Sequence, residues 1–457
     1  MDVAQILDGL DPDQRRVAET LGEPLGVIAG AGTGKTRTIT HRLAYAVLAG
    51  AIDPRATLAC TFTTAAAAEV RTRLEAMGVR GVQSRTFHSA ALRQAQYFWP
   101  QAYGSALPRV EDRREPLVAQ ACTRVGLAAT PAEVAEVAAE ISWTKQTNVL
   151  PEDYIGLART DRRTLLHVTS DSVADAIVAY EEAKQAACVI DLDDLLLCTV
   201  ALLATQPDVA KQVRATYRHF VFDEFQDVSP VEWRLVELWT GGRRDVCVVG
   251  DPAQTIHTFA GARSQYLESF AAGRPGAGEL VLTTNYRSTT PVLEAAAAVG
   301  RSPRRLQSAR GAGPAVELVP ARDALDEAVA TARWLKDRHA DGVAWGDLAV
   351  LFRTHAGVES IRQILADEGV PFGRLGVGLG TLHGAKGREW EGVTLGGLHD
   401  GTVPSPLARS AAQLAEERRL LYVGLTRART FLRLTWPVTA GGRPARPSRF
   451  LAGLGAT

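Results

Sequence analysis

LGVIAGAGTGKT, residues 25–36, decides the fold of this 457-residue chain. A short apolar run ends in glycine, a glycine-rich turn follows, and helix-forming sequence opens at Lys35. An apolar run of that length, bounded by glycine, reads as a buried strand. The turn AGAGTGKT has the Walker A arrangement, in which backbone N–H groups at a helix N-terminus cradle phosphate oxygens. Gly32 and Gly34 permit the tight turn, Lys35 reaches the β- and γ-phosphates of a nucleotide, and Thr36 is placed to ligate Mg²⁺. The candidate phosphate cradle is therefore Ala29, Gly30, Ala31, Gly32, Thr33, Gly34, Lys35 and Thr36, with Arg37 following. Ala29 stands where the strict pattern has glycine, so the match misses by one residue.

Working outward, TLACTF (57–62) is a second buried strand, and an Ala-rich helix starts at Thr64. Strand, loop and helix in alternation imply a parallel sheet covered by helices. From about 106 to 190 the texture becomes helix only, with breaks near Gly126, Pro131 and Pro151. Strands return at HFVF (219–222) and DVCVVG (245–250), which makes 106–194 a helical insertion in one α/β domain built from 1–105 and 195–279. A second α/β domain, 280–457, is expected from strands ELVLT (279–283), AVELVP (315–320), DLAVLF (347–352), GVTLGG (392–397) and FLRLTW (431–436). Within it GRLGVGLG (373–380) reads as a short linker, and the tail from Pro437 reads as loosely ordered.

Composition excludes several classes. No apolar run approaches the roughly 18 residues needed to span a bilayer. The acidic start MDVAQILDGLDPDQ carries no export leader. Five scattered cysteines without a CxxC pair argue against a zinc or iron–sulfur site and for a reduced, cytoplasmic protein. Fifty-one basic residues balance 51 acidic ones, so any nucleic-acid path must be a local groove rather than a basic surface. Six of the basic residues are Lys, and Lys35 and Lys386 fall inside motifs.

FVFDEFQD (220–227) supplies the partner of the phosphate loop. At a strand's C-terminal edge, Asp223 would hold Mg²⁺ and Glu224 would polarise an attacking water. VVGDPAQTI (248–256) repeats the geometry, with Gln254 placed to sense a γ-phosphate. A single phosphate-loop domain has no arginine to complete the transition state, and a second domain donating Arg287 of NYRST (285–289) and Arg427 of EERRLLYVGLTRAR (416–429) would give closure coupled to hydrolysis. TLHGAKGREW (381–390) adds His383, Lys386 and Glu389.

In this order the motifs resemble those of superfamily 1 helicases of the UvrD/Rep/PcrA type, and within them the second UvrD paralogue of actinobacteria. LDPDQ matches the Q motif, TFTTAAAAEV (61–70) motif Ia, RTFH (85–88) motif Ib, DEFQD motif II, GDPAQTI motif III, NYRST motif IV, TLHGAKGREW motif V and YVGLTRA (422–428) motif VI. IDLDDLLL (190–197) and PSRFL (447–451) are further landmarks. The resemblance implies two RecA-like domains, 1A and 2A, with the insertion 1B in the first and ATP between them. It implies that Gln14 recognises adenine, Tyr286 stacks on it, Glu389 binds the ribose hydroxyl, and Arg287 and Arg427 contact the γ-phosphate. Single-stranded DNA would meet Phe62, Thr63, Thr86, His88, Phe259 and His383, with aromatic rings stacking on bases and polar groups on phosphates. The implied activity is an ATP- and Mg²⁺-dependent 3′→5′ DNA translocase or helicase. It would act on single strands and 3′-tailed duplexes, at the nucleoid, with repair proteins as partners.

The sequence departs from the family in several places. Motif Ia has Thr64, Ala65, Ala66 and Ala67 where a basic residue usually stands, which removes a phosphate contact of about 1 kcal/mol. Position 257, often Tyr, is His257, which keeps a stacking face. More important, only about 90 residues separate NYRST from TLHGAKG, so the accessory domain 2B is missing and GRLGVGLG stands in its place. The four-cysteine and HRDC modules of that paralogue also have no counterpart in this sequence. A competing expectation is therefore a DNA-stimulated ATPase that binds or clears single strands without productive unwinding. A non-motor kinase or metabolic ATPase leaves motifs Ia, IV, V and VI unexplained.

Overall fold

The computed structural model describes residues 3–160, 163–301 and 305–455. The chain divides into two compact units. The first comprises Met1–Ile28, Lys35–Gly250 and His257–Val281, and the second comprises Ala29–Gly34, Asp251–Ile256 and Leu282–Thr457.

The first unit is built on a six-stranded sheet. Its strands lie in the order Gln83–Thr86, Thr57–Thr61, His219–Phe222, Val246–Gly250, Leu25–Ala29 and Gly278–Leu282. Leu25–Ala29, Thr57–Thr61 and Val246–Gly250 are buried at every position, as expected for parallel strands covered on both faces. Parallel registers align their ends: Thr61 lies beside Thr86, Cys60 beside Phe222, Phe222 beside Val248, and Ile28 beside Gly250. The turns that follow these strands therefore emerge at one edge of the sheet. Gly278–Leu282 corrects the expectation that ELVLT opens the second α/β region. It is the edge strand next to Leu25–Ala29, and the Gly278 amide donates to the Pro24 carbonyl at 2.9 Å. Local alternation identifies a strand but not the sheet it joins.

Within this unit the helices Glu115–Arg124, Pro131–Thr147, Tyr154–Thr160 and Ser170–Ala187 enclose a core of their own, including Val118, Val137, Ile141, Tyr154, Ile177 and Tyr180. The segment is not helix only: Arg109–Glu111 and Val189–Asp191 pair in parallel at its two ends. Those strands are three residues each, too short for periodicity to register. The closure is ionic as well. Buried Lys145 donates to Asp191 and Asp194 at 2.6 Å each, and Lys184 also pairs with Asp194. Burial pulls the Lys145 ammonium down, but the charges of Asp191, Asp194 and Glu181 outweigh it and hold the group above its ordinary range. Each member has more than one partner, because Lys145 and Lys184 also both pair with Glu181.

The second unit carries a five-stranded sheet in the order Glu317–Ala321, Ala428–Pro437, Trp390–Leu395, Leu348–Phe352 and Gly378–Thr381, with every neighbouring pair parallel. Two expectations are corrected here. GRLGVGLG is not only a linker: its second half forms the edge strand Gly378–Thr381, in register with Ala349–Phe352. Its first half is a tight turn in which the Gly373 amide donates to Val377 and the Val377 amide donates to Pro371. Glycines contribute backbone pairing without the side-chain pattern that makes a strand legible. Nor is the tail loose. Thr439–Ala440 and Arg443–Pro444 form a hairpin, and Arg449–Leu454 packs Phe450 and Leu451 into the core of this unit. Among the described residues no helix is long and apolar enough to cross a membrane.

Glu232 offers a measurable property of the first unit. It stands at the third position of the helix Pro230–Thr240 in a capping box with Ser229, and its carboxylate accepts the Ser229 amide at 3.0 Å. Burial, aided by the charges of Asp227 and Asp193 and opposed by the bonds from Ser229, pushes its pKa up to about 7. A raised carboxyl favours the folded state below its unfolded pKa, and that contribution is lost as pH rises through about 7. Glu232→Gln should therefore gain stability relative to the parent on going from pH 5 to pH 8, by on the order of 3 kcal/mol at most, read as a rise in relative melting temperature. Parallel thermal melts at the two pH values check this, and a pH-independent difference would refute it.

Candidate active site

The phosphate loop is shaped by backbone first. The strand Leu25–Ala29 ends, the turn Gly30–Gly34 follows, and the helix Lys35–Leu48 begins. Gly32 and Gly34 have φ of +70° and +79°, in the region that favours glycine. A Cβ on Gly32 would also lie 2.5 Å from Asn285 Nδ2 and 2.6 Å from Arg287 Cβ. The Thr33 hydroxyl donates to the Gly30 carbonyl at 2.9 Å and closes the turn. Thr36 is the second residue of the helix, and its carbonyl accepts the Thr40 hydroxyl. Arg37 lies on the outer side, with Nη2 donating to the Gly9 carbonyl at 2.9 Å. Gln14 is buried, and its amide oxygen accepts the Asp11 amide in the capping box of Pro12–Glu19.

Beside Lys35, in the first unit, stand the two acids. Lys35 Nζ lies 3.9 Å from Glu224 Oε1. Asp223 follows the strand His219–Phe222 directly; its amide donates to Cys60 and its Oδ1 accepts the Glu224 amide at 2.8 Å. Burial, then the neighbouring Glu224 charge, pushes the Asp223 carboxyl up to about 7 against the pull of Lys35. That shift marks an anion short of positive charge, which a divalent cation would supply. Among the described residues no three acidic, His or Cys side chains cluster as a self-sufficient metal cage. Mg²⁺ takes one or two carboxylates and fills its other positions with water and phosphate oxygens, a demand that the buried Asp223 carboxylate could meet.

Glu224 itself has φ +52°, a left-handed conformation that costs a non-glycine residue roughly 1–2 kcal/mol. Gln226 holds it there, since its Nε2 donates to both Glu224 Oε2 and Asp227 Oδ2. Gln226 fits because the facing residue is Gly250, where a Cβ would lie 2.3 Å from Gln226 Oε1.

The second unit gathers the remaining nucleotide candidates. Asn285 Nδ2 donates to the Ala31 carbonyl at 2.6 Å, and the Tyr286 amide donates to the Gly32 carbonyl at 2.8 Å. Tyr286 keeps 45% of its surface exposed, as a stacking residue needs. Arg427 is almost fully buried; Nη2 reaches Gln254 Oε1 at 3.2 Å and Nε donates to the Val423 carbonyl. Gln254 in turn donates to Asp251 at 2.8 Å. Two further cations fix the backbone of this turn: Lys386 Nζ donates to the Gln254 carbonyl at 3.0 Å and Arg419 Nε to the Thr255 carbonyl at 2.7 Å. Arg287 bonds Glu389 through Nε and the Thr426 carbonyl through Nη1.

The candidate DNA contacts divide between the units. In the first, Phe62 stacks on His257 at 5.9 Å between centroids, and His257 meets Phe259 edge-on at 5.9 Å. Phe62 and Phe259 stay 45% and 50% exposed, so this aromatic row faces outward. Thr63 and Thr86 are helix N-caps whose hydroxyls accept the Ala66 and Ser89 amides. His88 is half-buried, and burial is the main reason its pKa lies below the ordinary value. His383, in the second unit, is pushed down to about 4 by burial and by Arg353, so it is neutral at physiological pH.

Residues 10–273 match the UvrD/REP helicase N-terminal domain, and residues 374–439 match the UvrD-like helicase C-terminal domain. The chain belongs to the UvrD/REP helicase family. It is 33% identical to the ATP-dependent DNA helicase UvrD2 of Mycobacterium tuberculosis, over 98% of this chain and 82% of that protein. It is also 33% identical to UvrD1 of the same organism, over 80% of this chain and 50% of that one. With the ATP-dependent DNA helicase PcrA of Leuconostoc citreum it shares 28%, over 82% and 51%. The UvrD2 alignment runs over 574 positions, more than the 457 residues here, so that relative carries sequence inside the matched span that this chain lacks.

Reasoning from sequence missed three residues: Asn285, which pins the phosphate loop; Gln226, which orients Glu224; and Arg419, which with the already noted Lys386 holds the Gln254 turn. All lie inside stretches already singled out, but their roles depend on partners distant in sequence. Gly250→Ala should force Gln226 away from Glu224 and destabilise the first unit by about 1–3 kcal/mol. A lowered melting temperature checks this; an unchanged one would show that Gln226 can relocate without cost.

Proposed function

We propose that this chain is an ATP-driven, 3′→5′ single-stranded DNA translocase and helicase acting in DNA repair or replication, in the cytoplasm at the nucleoid. The observation that carries the reading is the placement of Lys35 against the Asp223–Glu224 pair at the edge of a parallel sheet. Membership of the UvrD/REP family supports DNA as the track. The domain layout in this reading is 1A (1–105 and 195–279), 1B (106–194) and 2A (280–457), with domain 2B absent.

In the proposed cycle the amides of Ala29–Arg37 bind the phosphates, and Lys35 neutralises the β- and γ-oxygens. Mg²⁺, held by Asp223 and Thr36, would supply Lewis-acid charge at those oxygens. Glu224 orients and deprotonates the attacking water, and its held left-handed backbone spares it from reorganising during the step. Gln254 senses the γ-phosphate, and Arg287 and Arg427 stabilise the charge that develops there. Tyr286 stacks on adenine, Gln14 reads its edge, and Glu389 accepts the ribose hydroxyl. Phe62, Phe259 and the intervening His257 form a stacking platform for bases, with Thr63, Thr86, His88 and His383 along the backbone. Stacking tolerates every base, which suits movement without sequence preference. Because Phe259 follows the turn that holds Gln254, nucleotide state and base position share one short segment.

A specific observation favours a second reading, ATP turnover without productive unwinding: the relative UvrD2 has sequence within the matched span that is lacking here. Displacement of a strand from a 3′-tailed duplex separates the two, and ATP turnover without displacement would decide for the second. Lys35→Ala or Glu224→Gln should reduce DNA-stimulated ATP hydrolysis by at least about a hundredfold. Phe259→Ala should weaken single-strand stimulation by about 1–3 kcal/mol while leaving basal turnover in place. Normal hydrolysis in the Lys35 or Glu224 variants would reject the site.

A further inference from the structure

Glu389 is shared between two arginines, one on each oxygen. Arg429 takes Oε1 with two donors, Nε at 3.1 Å and Nη2 closer. Arg287 takes Oε2 through Nε alone, and its Nη1 is directed to the Thr426 carbonyl at 3.2 Å. The backbone fixes this sharing. Trp390 lies in register with Ala428 in a parallel strand pair, so Glu389 and Arg429 flank that pair, and the Thr289 amide bonds the Arg429 carbonyl.

Arg429 places both of its donors on Oε1, and Arg287 places one on Oε2, so the carboxylate has a cation on each oxygen. In the functional reading above Arg287 is the partner that leaves. When it leaves, Glu389 keeps Arg429 and is not stranded as a half-buried anion. Without Arg429 the same carboxylate would have Arg287 as its one paired cation among the described residues, and departure would uncover the charge. Arg287 and Arg429 both hold the Glu389 carboxyl below its usual range against the upward push of burial.

Resting on the functional reading above, in which Arg287 moves to the γ-phosphate, we infer that Arg429 is a positioning residue that frees Arg287 for catalysis by holding Glu389 in its place. Arg429 touches neither nucleotide nor water in this scheme. Its side chain is 40% exposed, so its replacement does not open a core.

The test is steady-state ATP hydrolysis by the full chain with saturating oligothymidine. Arg429→Ala should lower kcat about tenfold with KM for ATP changed less than about twofold, because Arg287 stays on Glu389. Arg429→Lys, which restores the charge, should recover most of kcat. Adding Glu389→Gln to Arg429→Ala removes the trap and should raise kcat above that of Arg429→Ala alone, even though loss of the ribose contact raises KM. A simple anchoring role for Arg429 would instead raise KM at unchanged kcat, or make the double variant slower than the single one; either result overturns the proposal. Parent protein without any ATP turnover would overturn the functional reading itself, a different outcome from normal turnover in Arg429→Ala.

Discussion

Parallel pairing is the constraint on which the rest depends. A parallel ladder sends every strand in the same direction, so the turn after each strand leaves by the same edge. In the first unit that rule aligns the ends of Thr57–Thr61, Gln83–Thr86, His219–Phe222 and Val246–Gly250, although they lie far apart in sequence. The buried, β-branched strands that make this possible carry no chemistry. Their contribution is to hold amides and carboxylates in place against solvent. The helices begun at that edge add aligned backbone donors, which is why an anion-binding turn and a cation-binding acid can sit side by side.

What this edge collects is electrostatically uncomfortable by itself. Asp223 is buried beside Glu224, and Lys35 does not fully compensate the pair. Glu224 also occupies a left-handed backbone conformation secured by Gln226. Unrelieved charge and held strain at adjacent residues are the marks of a place prepared for a ligand that brings opposite charge. In the second unit Arg427 is buried with donors on the Val423 carbonyl and the Gln254 side-chain oxygen, and Arg287 shares Glu389 with Arg429.

Much of this was legible in the sequence where a motif carries its own geometry. The strand, turn and helix around Lys35, and the strand ending at Asp223, are local patterns and appear where expected. Features that depend on distant partners were not. ELVLT is a recognisable strand, but nothing within it says that it borders Leu25–Ala29. Gly378–Thr381 pairs through backbone while offering almost no side-chain pattern. An arginine after a helix is ordinarily a surface residue, yet Arg427 is buried because carbonyls from its own helix and a turn far upstream receive its donors. Gln226 is one polar letter in an acidic run until Gly250 leaves room for it.

The turn from Asp251 to Ile256 ties these elements to movement. It is short, its side chain Gln254 bonds both Asp251 and Arg427, and its carbonyls are held by Lys386 and Arg419. Side chain and backbone of the turn are therefore both held. The chain continues directly into His257 and Phe259, whose rings lie exposed beside Phe62. In the proposed reading, Gln254 at one end of this segment and a stacking surface a few residues away are what coupling of ATP turnover to a polymer track requires.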